Sequence, residues 1–342
     1  MYEAFFRLTE RPFDLTPSPR FLVLTDSHRE ALRNLEYGIA SRKGITLLIG
    51  EAGAGKTTII RSAVEKQPTM VHCVHLNNPT LSRDEFCAML ATRFGLSDRA
   101  VESKTHLLVE LEALLRERRD RGETTVLIVD EAQSLSLDLL EEIRLLANIE
   151  TNDEKLMSVI IAGQPELATR LNERDLRQLK QRVALRCELR PLSRLETETY
   201  VAGRVRAAGG VGAEVFTREA VGLLHQVSRG LPRVINVLAD NALLGGFAAG
   251  VRPVGSSIVM DVCRDFDLVP PGPLEGAGTA TLPVAPAMSG RAAPRGERAA
   301  VPTAVGSDET GTGPDSRTAS TKSTEMFGTF AGRRKRFSFF WS

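Results

Sequence analysis

"GEAGAGKTT", Gly50 to Thr58, stands between an apolar run, "ITLLI", and the first turn of a helical pattern. Its spacing is that of the Gly-x4-Gly-Lys-Ser/Thr phosphate loop, in the strand-before, helix-after setting the loop requires. Glycines let backbone N–H groups curl around a phosphate, and the following helix start adds positive potential. Gly50, Glu51, Ala52, Gly53, Ala54, Gly55, Lys56, Thr57 and Thr58 are therefore the expected cradle for ATP. Lys56 is expected to reach the β- and γ-phosphates, and Thr57 to ligate Mg²⁺.

"TVLIVDEAQ" ends a second apolar run in Asp130 and Glu131. A strand that finishes there places both carboxylates beside the phosphate loop. Asp130 is the expected second metal residue, holding Mg²⁺ directly or through water. Glu131 is the expected base that orients and deprotonates the attacking water. Phosphoryl transfer to another acceptor has no need of that second acid, so Glu131 points to hydrolysis.

Gln164 follows the apolar run "SVIIAG". Its amide suits a hydrogen bond to the γ-phosphate and to the lytic water; a plain turn residue ahead of Pro165 is the alternative. Further on, "LKQRVALRCELRPLS" carries Arg182 and Arg186, which four residues apart on a helix would share a face. An arginine presented to a neighbouring subunit would neutralise charge developing on its γ-phosphate. Arg182 is the preferred candidate, against the plainer reading of a solvated basic face with Arg170, Arg174, Arg177 and Lys180.

"SRGLPRVINVLADNALL" poses a question of its own. Pro232 suits the first position of a helix, but Arg233 then stands where the macrodipole favours acidic side chains. An anion would resolve this: a helix folded over the nucleotide would bring the Arg233 guanidinium to its phosphates.

Those residues need a scaffold. "ITLLIG", "MVHCVHL", "TVLIVDE", "SVIIAG" and "RCEL" read as five strands, the first, third and fourth apolar throughout, as in a parallel sheet covered on both faces. Helices are expected between them at about 27–42, 56–66, 82–94, 103–119 and 136–150, with a capping box at Ser82–Glu85. After the fifth strand the pattern is helical only, at about 193–207, 217–228, 232–248 and 256–266, with a second capping box at Ser193–Glu196. The expectation is an α/β domain over 1–192, including an N-terminal segment 1–30, then a small all-helical lid at 193–267. Residues 268–342 are rich in Pro, Gly, Ala, Ser and Thr and read as a disordered tail.

Composition sets outer limits. The 342 residues allow about two domains, with 42% hydrophobic residues, 25% charged and a formal net charge of +1. That balance does not call for nucleic acid or a membrane as partner unless a local basic patch supplies one. Cys73, Cys87, Cys187 and Cys263 lie far apart and read as reduced, buried thiols. The first residues lack a basic leader followed by a long apolar run, and no apolar stretch reaches the roughly 20 residues of a membrane span. A soluble, cytoplasmic protein is expected. The terminal "GRRKRFSFFWS" sets Arg333, Arg334, Lys335 and Arg336 beside Phe337, Phe339, Phe340 and Trp341, a cluster that suits an anionic membrane surface or a docking peptide, or is simply an unstructured end.

Together these elements resemble the AAA+ ATPases, with Gln164 matching the sensor after the fourth strand, Arg182 the trans-acting arginine finger and Arg233, in "GLPR", the lid sensor. "MYEAFFRLTERPFDLTPSPRFLVLTDSHREAL", "LLEEIRLLANIETNDEKLMSVIIAGQPEL" and "LKQRVALRCELRPLS" narrow this to the secretion-associated ExeA type. The resemblance covers about residues 1–266. It implies an AAA+ P-loop core with a five-stranded parallel sheet, cofactors ATP and Mg²⁺, a homo-oligomer, and coupling of ATP turnover to an envelope secretion or exopolysaccharide machine. It also implies that the segment from Phe21 to His28 lines the adenine pocket. ExeA-type proteins can continue into a transmembrane helix and a periplasmic cell-wall-binding domain; the low-complexity segment here points instead to an exosortase-linked or orphan branch. A DNA-associated AAA+ ATPase of the transposition-helper or initiator type is the rival, and ATP acting as a binding switch the third reading.

Overall fold

The computed structural model describes residues 1–15, 21, 23–68, 70–76 and 81–268, together with the backbone of 338–339. Five strands form a parallel sheet: β1 (Ile45–Gly50), β2 (Val71–Leu76), β3 (Thr124–Val129), β4 (Ser158–Gly163) and β5 (Val183–Leu189). Their spatial order is β5-β1-β4-β3-β2, and a two-residue strand, β6 (Ser338–Phe339), runs beside β2. Every residue of β1, β3 and β4 is buried, which is why these strands read as unbroken apolar runs. β5 has one neighbour among the five, β1, and alternates exposed with buried positions along its second half.

Register places the chemistry. Ile49 of β1 lies opposite Gly163 of β4, and Val129 of β3 opposite Ile161. The three central strands thus end together, so the turns after Gly50, Val129 and Gly163 share one edge of the sheet. Open α/β sheets bind ligands at that carboxyl edge.

Helices α1 (Asp26–Ala40) and α2 (Lys56–Glu65) cover one face, closing a core that includes Leu35, Ile39, Leu48, Ile59, Ile60 and Ile128. The other face is covered by α3 (Arg83–Phe94), α4 (Asp98–Glu102), α5 (Lys104–Asp120), α6 (Leu137–Leu146), α7 (Pro165–Arg170) and α8 (Arg177–Gln181). After β5 come α9 (Arg194–Ala207), α10 (Gly212–Val215), α11 (Arg218–Ser228), α12 (Pro232–Ala249) and α13 (Ser256–Asp265). Both capping boxes are present, Ser82 with Glu85 and Ser193 with Glu196.

The N-terminal segment, expected with the α/β layer, buries its apolar side chains elsewhere. Tyr2, Phe6, Leu8, Phe13 and Phe21 share a core with Tyr200, Val205, Phe216, Leu238 and Val259 of the helical bundle. Main-chain and side-chain bonds secure it: Thr9 N–H and Oγ1 both donate to the Ala208 carbonyl, and Arg252 donates to the Phe5 carbonyl at 3.0 Å. Two expectations are corrected. Strand β5 begins at Val183 rather than near Arg186, and the sixth helix of the α/β layer stops at Leu146 instead of 150. Residues 269–337 and 340–342, with the disordered tail and most of the basic-aromatic cluster expected there, lie outside the described residues. Among the described residues no helix is long and apolar enough to cross a membrane.

Candidate nucleotide site

The loop after β1 turns through two left-handed glycines, Gly53 at φ +80° and Gly55 at φ +97°, a conformation side-chain-bearing residues resist. Gly55 caps α2 without a side chain to satisfy the first-turn N–H groups. From Gly53 to Thr58 the loop lines a cavity of about 400 Å³. Gly50 and Glu51 use their carbonyls to hold the buried Lys56 ammonium, at 2.9 and 3.3 Å, and Ala52 stands exposed at the loop's crest.

The metal candidates meet. Thr57 Oγ1 donates to Asp130 Oδ2 at 2.8 Å, while Asp130 Oδ1 accepts the Glu131 backbone N–H at 2.9 Å. Among the described residues no group of three or more His, Cys, Asp or Glu is clustered to hold a metal by itself. One hydroxyl and one carboxylate beside a phosphate loop suit Mg²⁺, a hard cation that keeps several waters and takes phosphate oxygens as ligands.

Glu131 lines the cavity and carries a left-handed backbone, φ +52° and ψ +37°. Such conformations in non-glycine residues cost energy and cluster at functional sites. Its Oε2 accepts from Gln133 Nε2 at 2.6 Å and from Gln164 Nε2 at 3.2 Å. Burial works to raise the Glu131 carboxyl pKa, but those two hydrogen bonds and the Lys56 charge outweigh it and hold the group below the ordinary carboxylate value. Gln164 itself caps α7 ahead of Pro165, and its N–H donates to Gln133 Oε1 at 3.0 Å. It is thus a turn residue and a partner of the carboxylate at once.

The helical bundle closes the cavity from the other side. Arg233 and Pro232, in the first turn of α12, line it. The Arg233 N–H donates to the Gly53 carbonyl at 3.2 Å, so the bundle touches the phosphate loop directly. The segment from Phe21 to His28 contributes Phe21, Val23 and His28. His28 Nε2 donates to the Ala54 carbonyl at 3.1 Å, which leaves Nδ1 to accept from the Thr25 hydroxyl at 2.6 Å. Burial depresses the His28 pKa, in keeping with that neutral ring.

Arg182 and Arg186 do not share a helical face. Arg182 follows the last turn of α8, whereas Arg186 lies within β5, opposite Leu47 of β1. Both are exposed and neither lines the cavity. The helical spacing failed here because the chain passes from helix to strand between them.

Several residues in and beside the cavity escaped sequence reasoning. Gln133 closes the "DEAQ" run, where a polar residue after the acids was the only signal. At the far end, Tyr200, Arg204 and Asn236 join Asp14 and Leu15. Arg204 is only 6% exposed. Its guanidinium donates to the carbonyls of Pro12 (2.5 Å) and Asp14 (3.3 Å) and to the Tyr200 hydroxyl (2.7 Å), and lies within 6 Å of the Phe13, Phe21 and Tyr200 ring centres. The Tyr200 hydroxyl in turn donates to Asn236 Oδ1 at 2.9 Å. Tyr200 and Arg204 stand one helical turn apart on the buried side of α9, a spacing that marks a shared face but not what it faces.

Comparison with known proteins gives the family and the fold. Residues 39–171 match the family model of the AAA domain. Over 262 residues, 74% of this chain, the sequence is 40% identical to general secretion pathway protein A of Aeromonas hydrophila. The chain spans 46% of that relative, under half its length. Among solved structures it is similar to the Aeropyrum pernix ORC2 protein in its ADPNP–ADP complexes, at a TM-score of 0.58 and 18% identity, covering 75% of this chain and 71% of that one. It is also similar to Cdc6p of Pyrobaculum aerophilum, at a TM-score of 0.55 and 15% identity, covering 74% and 70%. At those identities the two structures speak for the fold alone. Fold and phosphate loop define an AAA+ nucleotide-binding core. Within that family the chain belongs to the ExeA type.

Proposed function

We propose that the protein binds ATP with Mg²⁺ and hydrolyses it, and that this turnover drives assembly or operation of an envelope secretion or exopolysaccharide system. One observation carries the catalytic part: a single cavity is lined by Lys56, Thr57, Glu131 and Arg233, brought from three separate stretches of chain. The residues divide the work. Backbone N–H groups of the Gly50–Thr58 loop cradle the phosphates, and Lys56 leaves the Gly50 and Glu51 carbonyls for the β- and γ-phosphates. Thr57 and Asp130 hold Mg²⁺, which when bound neutralises charge on the phosphate oxygens. Glu131 takes a proton from water, while Gln164 and Arg233 meet the γ-phosphate.

Arg182, exposed at the end of α8, acts across a subunit boundary in a homo-oligomer, and residues 193–267 serve as the lid. The pathway is supported by the likeness to general secretion pathway protein A, and a cytoplasmic site of action, peripheral to the inner membrane, belongs to the same proposal. Phosphate release and nucleotide retention test the chemistry. Lys56→Ala should bind no ATP; Glu131→Gln should retain ATP without cleaving it. Normal turnover by the Glu131→Gln protein would remove that carboxylate from the mechanism.

A further inference from the structure

Gln133 touches both residues of the water-handling pair. Its Nε2 donates to Glu131 Oε2 and its Oε1 accepts the Gln164 N–H. Gln133 is itself held. It sits in the 3-10 turn Ala132–Ser134, and its carbonyl accepts from the Arg170 guanidinium. Its Oε1 lies so near Gly163 that a Cβ there would come within 3.0 Å of it.

Glu131 gains from this what its own position does not give. Its residue is exposed at the lip of the cavity, where a carboxylate would otherwise turn freely about its side-chain bonds. Two amides on one oxygen stop that rotation. Oε2 is engaged twice, while Oε1 takes no hydrogen bond among the described residues. A base needs an oxygen with a free lone pair at a fixed place, and placement errors of about 1 Å cost on the order of 100-fold in rate.

We propose that Gln133 is a positioning residue for ATP hydrolysis: it anchors Glu131 through Oε2 and leaves Oε1 to accept the proton of the attacking water. In the step it serves, that proton passes to Oε1 as the water oxygen bonds to the γ-phosphorus. The bond from the γ-phosphorus to the bridging oxygen breaks, and ADP leaves with its electron pair. This deepens the hydrolytic reading above and rests on it.

The test uses Gln133→Met in the full chain, similar in length but without an amide. Steady-state phosphate release with Mg²⁺ should show kcat lowered about 10-fold or more, KM within about 3-fold of wild type, and ATP retention unchanged. In a Glu131→Gln background the same change should add nothing to the residual single-turnover rate, because Gln133 acts through that carboxylate. A Met variant with kcat within about twofold of wild type overturns the proposal, as does a KM that rises as far as kcat falls, or a further 10-fold loss in the double variant. Should the Met variant melt early, Gln133→Asn carries the same criteria, since it keeps the amide but withdraws it by one methylene. Wild-type protein that releases no phosphate sinks the hydrolytic reading and this proposal together. Turnover lost in Glu131→Gln yet intact in the Gln133 variants sinks this proposal alone.

Discussion

The backbone N–H of Arg233 donates to the carbonyl of Gly53, so the first turn of α12 stands on the phosphate loop itself. The Cβ of Arg233 lies 2.6 Å from where a Cβ on Gly53 would be. This contact explains a cation in a helical turn where the dipole opposes it: the turn faces the place where phosphates are expected. It also makes Gly53 a joint between the sheet and the bundle.

Gly53→Ala is therefore expected to weaken ATP binding by about tenfold or more, because alanine at positive φ costs roughly 1–2 kcal/mol before any clash is counted. Gly95 supplies the control: its φ is +72°, but nothing lies within 4 Å of an added Cβ. Gly95→Ala should lower the melting temperature and leave affinity for a fluorescent ATP analogue unchanged. Equal loss of affinity in both variants would show that strain, not the contact with Arg233, sets the effect.

Arg182 is exposed and lies outside its own cavity, so its proposed role can be separated from that of the loop by mixing subunits. Arg182→Ala and Lys56→Ala should each be inactive alone. Mixed in equal amounts, they should recover about a quarter of wild-type turnover, the share of randomly formed interfaces that join an intact loop to an intact arginine. No recovery, in protein shown to exchange subunits, would return Arg182 to the solvated surface.

His28 ties the phosphate loop to the start of α1 while neutral, and burial lowers its folded pKa, opposed by the Ala54 hydrogen bond and the Glu196 charge. The unfolded chain therefore takes up this proton first as pH falls. Stability from His28 is complete above about pH 6.5 and declines as pH drops from there toward the depressed folded value. Thermal melts between pH 7.5 and 5.5 should show a shallower acid slope in His28→Asn than in wild type. His75 and His225 have depressed values too, so part of the slope will remain. Identical slopes would mean that His28 keeps its proton affinity on folding.

Arg204 fastens residues 12–14 to α9. In Arg204→Met the stem's packing is kept but two carbonyls and the Tyr200 hydroxyl lose a donor, a cost of about 2 kcal/mol or more, or roughly 4–8 °C in Tm. Trypsin should then cut faster after Arg7, while the Arg11–Pro12 bond resists it. A faster cut without a lower Tm would mean that the strap is held locally and adds little to the whole.

Much of this was written plainly in the chain. β1, β3 and β4 are buried on both faces, and their apolar runs end at Gly50, Asp130 and Gln164 because the polar edge of the sheet begins there. The phosphate loop and the Arg233 turn were legible for the same reason: each needs particular residue types at fixed spacing. The short helices α4, α7, α8 and α10, of four to six residues, were missed because so few turns show no period. Arg186 was misplaced because "RVALRCEL" alternates as an edge strand, and a four-residue interval alone cannot distinguish that from a helix. Gln133 and Arg204 depend on what lies opposite them in space. No local pattern encodes that.

The placement of the first residues has a temporal consequence. Phe5 meets Phe247, and Phe13 meets Phe216, so partners separated by more than two hundred positions must both exist before either is covered. At a translation speed of about 5–20 residues per second, the segment carrying Phe5 and Phe13 waits roughly 10–50 s for its destination to be synthesised. During that interval the parallel sheet can already be forming, while the strip carrying Phe5, Phe6 and Phe13 remains sticky and unclaimed. On the ribosome this strip is therefore covered only after Phe216 and Phe247 have been made.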